Sequence, residues 1–158
     1  MGSSSSTSKI NGIETNWEQY LGTWYEQYRI PSWFESAESS NVTALYQWNA
    51  SKTNIEVTNQ SVVLGVPNEA KGVAYPVKGR TGVLSISFFK PFFSDYVVLE
   101  HGPSYEYTVV GGSTKDYLWL LTRNKVVTEK QKQRLFAVGK EKGYDVSKLQ
   151  KTPTLSIK

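Results

Sequence analysis

The sequence predicts an all-β protein: an eight-stranded antiparallel up-and-down β-barrel with one C-terminal α-helix packed outside it and a short final strand. Three observations lead to this prediction. Short β-rich runs alternate with turn signals from residue 20 to 123, no helical pattern separates them, and a helical pattern follows the last run. Consecutive strands should therefore pair as hairpins, and closing the sheet into a barrel removes its exposed edges.

Eight runs have the length and residue types of strands, and turn-forming residues separate them. The clearest is LSISF, from Leu84 to Phe88, which places apolar side chains on one face and hydroxyl groups on the other. This alternation is typical of a strand with one buried face. The runs span approximately residues 22–30, 41–48, 54–63, 70–78, 82–89, 94–101, 105–111 and 115–123.

The segment after the last run has the pattern of a helix. Thr128 and Gln131 have the spacing of a capping box, and Gly143 fits a helix C-cap. We therefore predict a helix over residues 128–142 that packs against the outside of the barrel. A last short strand is predicted around residues 154–157, where it would cover a sheet edge.

The chain is long enough for one domain with its own core. Its first fifteen residues, MGSSSSTSKINGIET, are rich in serine and glycine and contain no apolar segment. We expect residues 1–15 to be a flexible tail or an expression remnant and residues 16–158 to form the barrel domain. No later stretch is apolar for long enough to cross a bilayer as a helix, so we expect a cytoplasmic or membrane-peripheral location.

Composition argues against several kinds of site. The chain has no cysteine, which removes zinc–thiolate centres, disulfides and thiol nucleophiles, and His101 is its only histidine. The net charge is +4, but lysine and arginine form no compact block of the kind that binds nucleic acid. We therefore expect no metal, no cofactor and no nucleic-acid partner, and a monomer or weak dimer.

Several short motifs occur in an order that resembles the lipocalin family. They are GTWYE (22–26), IP (30–31), FE (34–35), NVTA (41–44), SFFKPF (87–92), DYLWLLTR (116–123) and GYDVSK (143–148). Together they are similar to the group that contains bacterial lipocalins, plant temperature-induced lipocalins and apolipoprotein D. The resemblance implies a barrel that binds a small hydrophobic ligand, such as a fatty acid, lysophospholipid, retinoid-like or pigment molecule.

The motif GTW marks the closed end of such a barrel. Trp24 on the first strand and Arg123 on the eighth become neighbours when the barrel closes, so the guanidinium can stack on the indole, donate to backbone carbonyls and plug the closed end that Gly22 begins. These three residues are predicted to be structural. Because the first strand leaves the closed end, the turns after strands one, three, five and seven should lie at the open mouth.

Strand alternation from an inward Trp24 predicts an apolar, aromatic interior with a few polar groups, which is typical of a lipophilic ligand site. Trp33 and Phe34 should roof the entrance, and Tyr28, Asn59 and Tyr117 are candidates to orient a ligand head group. The alternative is that the inward side chains simply fill a small barrel. The predicted inward residues are Glu26, Tyr28, Ala44, Tyr46, Ile55, Val57, Asn59, Leu84, Ile86, Phe88, Tyr96, Val98, Thr108, Val110, Tyr117, Trp119 and Leu121.

The turn between strands five and six also lies at the predicted open mouth and is rich in aromatic residues. Phe92 and Phe93 follow a proline that cannot continue a central ladder, so we expect them to project from the loop beside Lys90. Two interpretations stay open. The rings fold down as a lid over the cavity, or the rings and the lysine contact an anionic membrane surface.

Two other functions compete with ligand transport or storage. A lipid- or carotenoid-modifying enzyme would have to use Glu26, the only carboxylate predicted inside, as its acid or base; a hydrogen-bonded structural glutamate is the competing interpretation. Haem ligation would need His101, which the topology places in a closed-end loop away from the cavity.

Overall fold

The computed structural model describes residues 9–33 and 35–155, so Phe34, expected at the mouth, lies outside the described residues. Eight antiparallel strands close into one barrel because β1 pairs with both β2 and β8, which confirms the predicted fold class. The strands are β1 (Gly22–Arg29), β2 (Ser39–Trp48), β3 (Ile55–Val63), β4 (Val66–Pro76), β5 (Val83–Phe89), β6 (Phe92–His101), β7 (Tyr107–Gly111) and β8 (Leu118–Thr122).

Two hairpins at the open mouth run further than the sequence predicted. β4 begins at Val66 rather than at residue 70, because Leu64 and Gly65 both adopt positive φ and form a two-residue turn that lets the ladder continue to its tip. β6 begins at Phe92 rather than at residue 94, since Phe92 still pairs with Phe89 across the short turn. The prediction that Phe92 and Phe93 belong to a loop was therefore wrong.

The helix prediction is confirmed. α2 (Glu129–Glu141) follows the short helix α1 (Trp17–Tyr20) and has the predicted capping box at Thr128 and Gln131. Its apolar side, which includes the fully buried Leu135, packs with residues from the outer faces of β5 to β8. Among the described residues, neither helix combines the length and apolar character needed to cross a bilayer.

A short strand lies just before the predicted final strand, of which residues 156 and 157 lie outside the described part of the chain. β9 (Gln150–Lys151) pairs with β1 outside the barrel, whereas residues 154 and 155 are not in a strand. The segment that follows β9 then bridges β1 and β2: the Thr152 amide donates to the Gln27 carbonyl, and the Asn41 amide donates to the Pro153 carbonyl. This segment closes the seam where the direct pairing of β1 and β2 has ended.

Part of the predicted N-terminal tail contacts the barrel. The Ile13 amide donates to the Val98 carbonyl, and Arg80 donates to the Ile10 carbonyl. A Cβ on Gly82 would lie 2.2 Å from the Ile13 carbonyl oxygen, so glycine permits this close approach. Residues 10–13 therefore belong to the folded part of the chain, although they lie in the segment predicted to be a flexible tail.

Candidate functional site

The closed end has the predicted stacking contact. The Arg123 guanidinium carbon lies 3.8 Å from the centre of the Trp24 ring, and its nitrogens donate to the backbone carbonyls of Gln19, Tyr20, Thr23 and Tyr105. The indole nitrogen of Trp24 donates to the Tyr20 carbonyl at 2.9 Å. This arrangement covers one end of the barrel.

Tyr20 is a closed-end residue that sequence reasoning missed. Its ring is buried between the rings of Trp24, Tyr46, Tyr96 and Tyr105, with the nearest centroid at 5.1 Å. Its hydroxyl contacts the Tyr96 hydroxyl at 2.6 Å and donates to Thr108. Burial raises the pKa of Tyr20, so the hydroxyl stays neutral. The available signal was Asn16, which caps α1, the short helix that ends at Tyr20.

Most of the predicted cavity residues face the interior. Cross-strand pairing and side-chain packing place them on the inner face, where β4 contributes the small residues Gly72 and Ala74. Phe88 lies over Gly72, whose missing Cβ would be 2.7 Å from that ring. The inward residues are Glu26, Ala44, Tyr46, Ile55, Val57, Asn59, Leu84, Ile86, Phe88, Tyr96, Val98, Thr108, Val110, Trp119 and Leu121.

Tyr28 does not face the interior, and its predicted place in the cavity was wrong. β1 contains a bulge: Glu26 lies opposite Leu121, Tyr28 lies opposite Leu120, and Gln27 is the extra residue between them. A bulge shifts the alternation by one residue, so every later side chain on that strand exchanges faces. Tyr28 consequently packs outside the barrel, where its ring meets Phe136 of α2 edge-to-face.

The same bulge turns Arg29 into the barrel, where it forms a buried cluster with two carboxylates. Arg29 Nη1 donates to Glu26 Oε2 and to Glu35 Oε2, each at 3.1 Å. Arg29 Nη2 donates to backbone carbonyls of the loop between β1 and β2, including those of Ala37 and Ser39. Sequence reasoning missed Arg29 because strict alternation placed it outside.

Glu26 also contacts Thr152, in the segment that follows β9. The Thr152 hydroxyl donates to Glu26 Oε2 at 2.6 Å. Burial is the main cause that raises the pKa of Glu26 to about 8, and the nearby Glu35 carboxylate adds to it, while Thr152 and Arg29 act in the opposite direction. Burial, which Arg29 and Thr152 offset only in part, therefore holds the pKa of Glu26 well above its usual range.

Asn59 is the inward polar residue with an unused hydrogen-bonding atom. It lies on β3 opposite Ala44 on one side and Ala70 on the other, so small neighbours flank it. Its Oδ1 is buried and has no hydrogen-bond partner within the described residues. An unpaired buried acceptor costs about 1–3 kcal/mol, which makes this amide a candidate to bind a ligand donor.

Aromatic side chains line one side of the mouth. The Tyr117 ring stacks parallel to the inward Trp119 ring at 6.1 Å, and Trp33 Nε1 donates to the Tyr117 hydroxyl at 3.2 Å. Trp119 Nε1 in turn lies 3.4 Å from Glu35 Oε1, which connects this side of the mouth to the buried arginine cluster. Trp33, predicted at the mouth, thus lies beside Tyr117, which was predicted to face inward from the eighth strand.

The hairpin tips at the mouth expose large apolar side chains. Phe89 and Phe92 stack on each other and are 74% and 68% exposed, Trp33 is 83% exposed, and Phe93 contacts Tyr75. The neighbouring tip of β3 and β4 adds exposed Leu64 and Val66, which sequence reasoning did not identify.

His101 lies at the closed end, as the topology predicted. Its two ring nitrogens face the carbonyl oxygens of Gly102 and Glu14, and its ring stacks on Tyr105 at 4.0 Å. Glu100, at the same turn, accepts from Arg134 of α2. His101 therefore does not face the cavity, and no group of three or more potential metal ligands is found among the described residues.

Two shallow surface grooves lie outside the barrel. One runs beside α2 along Phe136 and Val146, and the other lies beside Ile30 and Ser147. Neither contains a predicted cavity residue.

Comparison with known sequences assigns most of the chain to one family. Residues 15–154 match the lipocalin-like domain family. The chain is 38% identical over 153 residues to the outer membrane lipoprotein Blc of Vibrio cholerae, which covers 94% of this chain and 87% of that protein. It is 34% identical to temperature-induced lipocalin-1 of Arabidopsis thaliana, over 87% of this chain and 78% of that protein.

Solved structures share the fold at lower sequence identity. Insecticyanin from the tobacco hornworm Manduca sexta superposes with a TM-score of 0.75 at 18% identity, covering 94% of this chain and 86% of its own. Lobster apocrustacyanin A1 superposes with a TM-score of 0.73 at 18% identity, covering 89% and 81%. At these identities the comparison supports the barrel and its topology.

Proposed function

The chain belongs to the lipocalin family, and we propose that it binds a small hydrophobic molecule inside its barrel for transport or storage, without chemically changing it. One observation carries this proposal. The inner face combines aromatic and aliphatic side chains with small residues such as Ala44 and Gly72. Apolar surface with a few polar groups is the usual lining of a lipophilic ligand site.

The contacts of Glu26 support binding rather than catalysis. Both Arg29 and Thr152 hydrogen-bond to its carboxyl group, which fits the structural glutamate weighed against a catalytic acid. The inward polar side chains around Tyr20 are Thr108 and tyrosines with neutral hydroxyls. An acid–base mechanism would need a second group within reach of the substrate, and these contacts leave Glu26 occupied.

A bulky side chain inside the barrel should abolish binding. In Ala44→Trp the indole would fill the space beside Asn59, so we expect a lipophilic fluorescent probe to lose at least about tenfold in affinity while the β-sheet circular dichroism is retained. Leu45→Trp is the matched control, because the next residue on β2 points outward. Equal affinity of folded Ala44→Trp and wild type would show that the probe binds elsewhere.

We also propose that the rim of the open mouth contacts an anionic membrane surface while ligand enters or leaves. Phe89, Phe92 and Trp33 are largely exposed, which favours projecting rings over a lid. Leu64 on the neighbouring tip extends the apolar surface, and Lys90 lies within the turn. Apolar side chains next to a cation are suited to the boundary between acyl chains and anionic head groups.

Vesicle binding tests the membrane contact. We expect weak binding to phosphatidylglycerol vesicles that decreases with added salt and decreases further in Phe92→Ser/Phe93→Ser, because that variant removes the apolar rim. Affinity for a free probe should stay unchanged. Val126→Ser is the control, since Val126 is 75% exposed but follows β8 at the closed end. If the double variant loses probe affinity and wild type ignores vesicles, the rings act as a lid.

A further inference from the structure

The polar and charged side chains inside the barrel indicate which chemical class of ligand it would bind. We propose that Asn59 makes the cavity selective for an uncharged lipophilic ligand with a hydroxyl or similar hydrogen-bonding group, over the carboxylate that has the same apolar chain. This inference rests on the proposed function, because it concerns the ligand of the same cavity.

The position of Asn59 suits it to bind a polar group that enters the barrel. It is two residues beyond Val57 on the inner face of β3 toward the mouth, above the fully buried layer that contains Val57. Its cross-strand neighbours Ala44 and Ala70 are too short to reach its amide oxygen. A ligand hydroxyl that donates to Oδ1 would remove the cost of an unpaired buried acceptor.

The charges inside the barrel disfavour an anionic ligand. Within residues 9–33 and 35–155, Arg29 is the one cationic side chain that the strands direct into the barrel above the Trp24–Arg123 floor. Arg29 Nη1 already donates to Glu26 and Glu35, and its Nη2 donates to backbone carbonyls. A ligand carboxylate would therefore enter beside two protein carboxyl groups and find the arginine occupied.

Desolvation gives this arrangement its selectivity. Burying an ionised carboxylate without a counter-ion costs far more than burying a hydroxyl that keeps one hydrogen bond. Lys90 offers a cation only at the rim, so a carboxylate held there would leave less of its apolar chain inside the cavity. The barrel therefore discriminates both by the bond offered at Asn59 and by the absence of a matching positive charge at that depth.

The experiment compares two probes that differ only in the head group: a pyrene-labelled fatty alcohol and the pyrene-labelled fatty acid of the same chain length. At neutral pH we expect wild type to bind the alcohol about tenfold or more tightly than the acid. In Asn59→Leu the alcohol should lose about tenfold in affinity while the acid changes little. Thr58→Val is the matched control, because it removes a polar group from the outward face of the same strand.

The outcomes separate this inference from the proposed function. Equal or tighter binding of the acid in wild type would overturn the selectivity, and unchanged alcohol affinity in Asn59→Leu would overturn the role of Asn59; both would leave the binding function standing. Failure of wild type to bind either probe would overturn the proposed function together with this inference.

Discussion

Replacing Trp24 with alanine is expected to lower the free energy of unfolding by about 3–5 kcal/mol, the cost of truncating a large core aromatic. The side chain is completely buried, its indole nitrogen is hydrogen-bonded to Tyr20, and Arg123 covers one ring face. The cavity left at the closed end would be bordered by rigid tyrosine rings that cannot easily move to fill it. Denaturant unfolding followed by circular dichroism measures the loss.

A double-mutant cycle tests the stacking contact itself. Arg123→Ala should also destabilise the fold, and the double variant should lose less than the sum of the two single variants, because the shared contact is removed once. Trp33→Ala is the control, since Trp33 is largely exposed at the mouth and its loss should change stability little. Strict additivity of Trp24→Ala and Arg123→Ala would contradict the proposed coupling.

The free energy of unfolding is expected to fall as pH rises from about 4.5 to about 8. The native state holds the pKa of Glu26 at about 8, whereas its ordinary value is 4.5. Between those values the native state binds more protons than the unfolded chain, so stability is fully present below pH 4.5 and is lost through pH 8, at up to about 1.4 kcal/mol per pH unit. Urea unfolding at a series of pH values measures this slope.

Three variants test whether the pH dependence of the free energy of unfolding comes from the buried arginine cluster. Glu26→Gln should flatten it, because the titrating group is gone. Glu35→Gln should end the decline at a lower pH, since it removes a charge that raises the pKa of Glu26. Asp95→Asn, which alters the more exposed Arg80–Asp95 ion pair, should leave the slope in place. A slope that survives Glu26→Gln would assign the titration to another group.

Much of the architecture could be predicted from local patterns. The eight strands and α2 follow from residue type, alternation and the capping box at Thr128, which are signals carried within a few neighbouring residues. The contact between Trp24 and Arg123 could also be predicted, because closing an antiparallel barrel brings its first and eighth strands together. Most inward residues follow in the same way wherever a strand keeps its alternation.

Only the tertiary structure showed where that alternation fails. The bulge at Gln27 exchanges the faces of Tyr28 and Arg29, and nothing within the β1 sequence marks it, because a bulge depends on how two strands register with each other. The burial of Tyr20 and the seam formed by Thr152 likewise depend on segments distant in the chain. The buried arginine cluster, and with it the charge of the candidate cavity, results from these long-range contacts rather than from any local pattern.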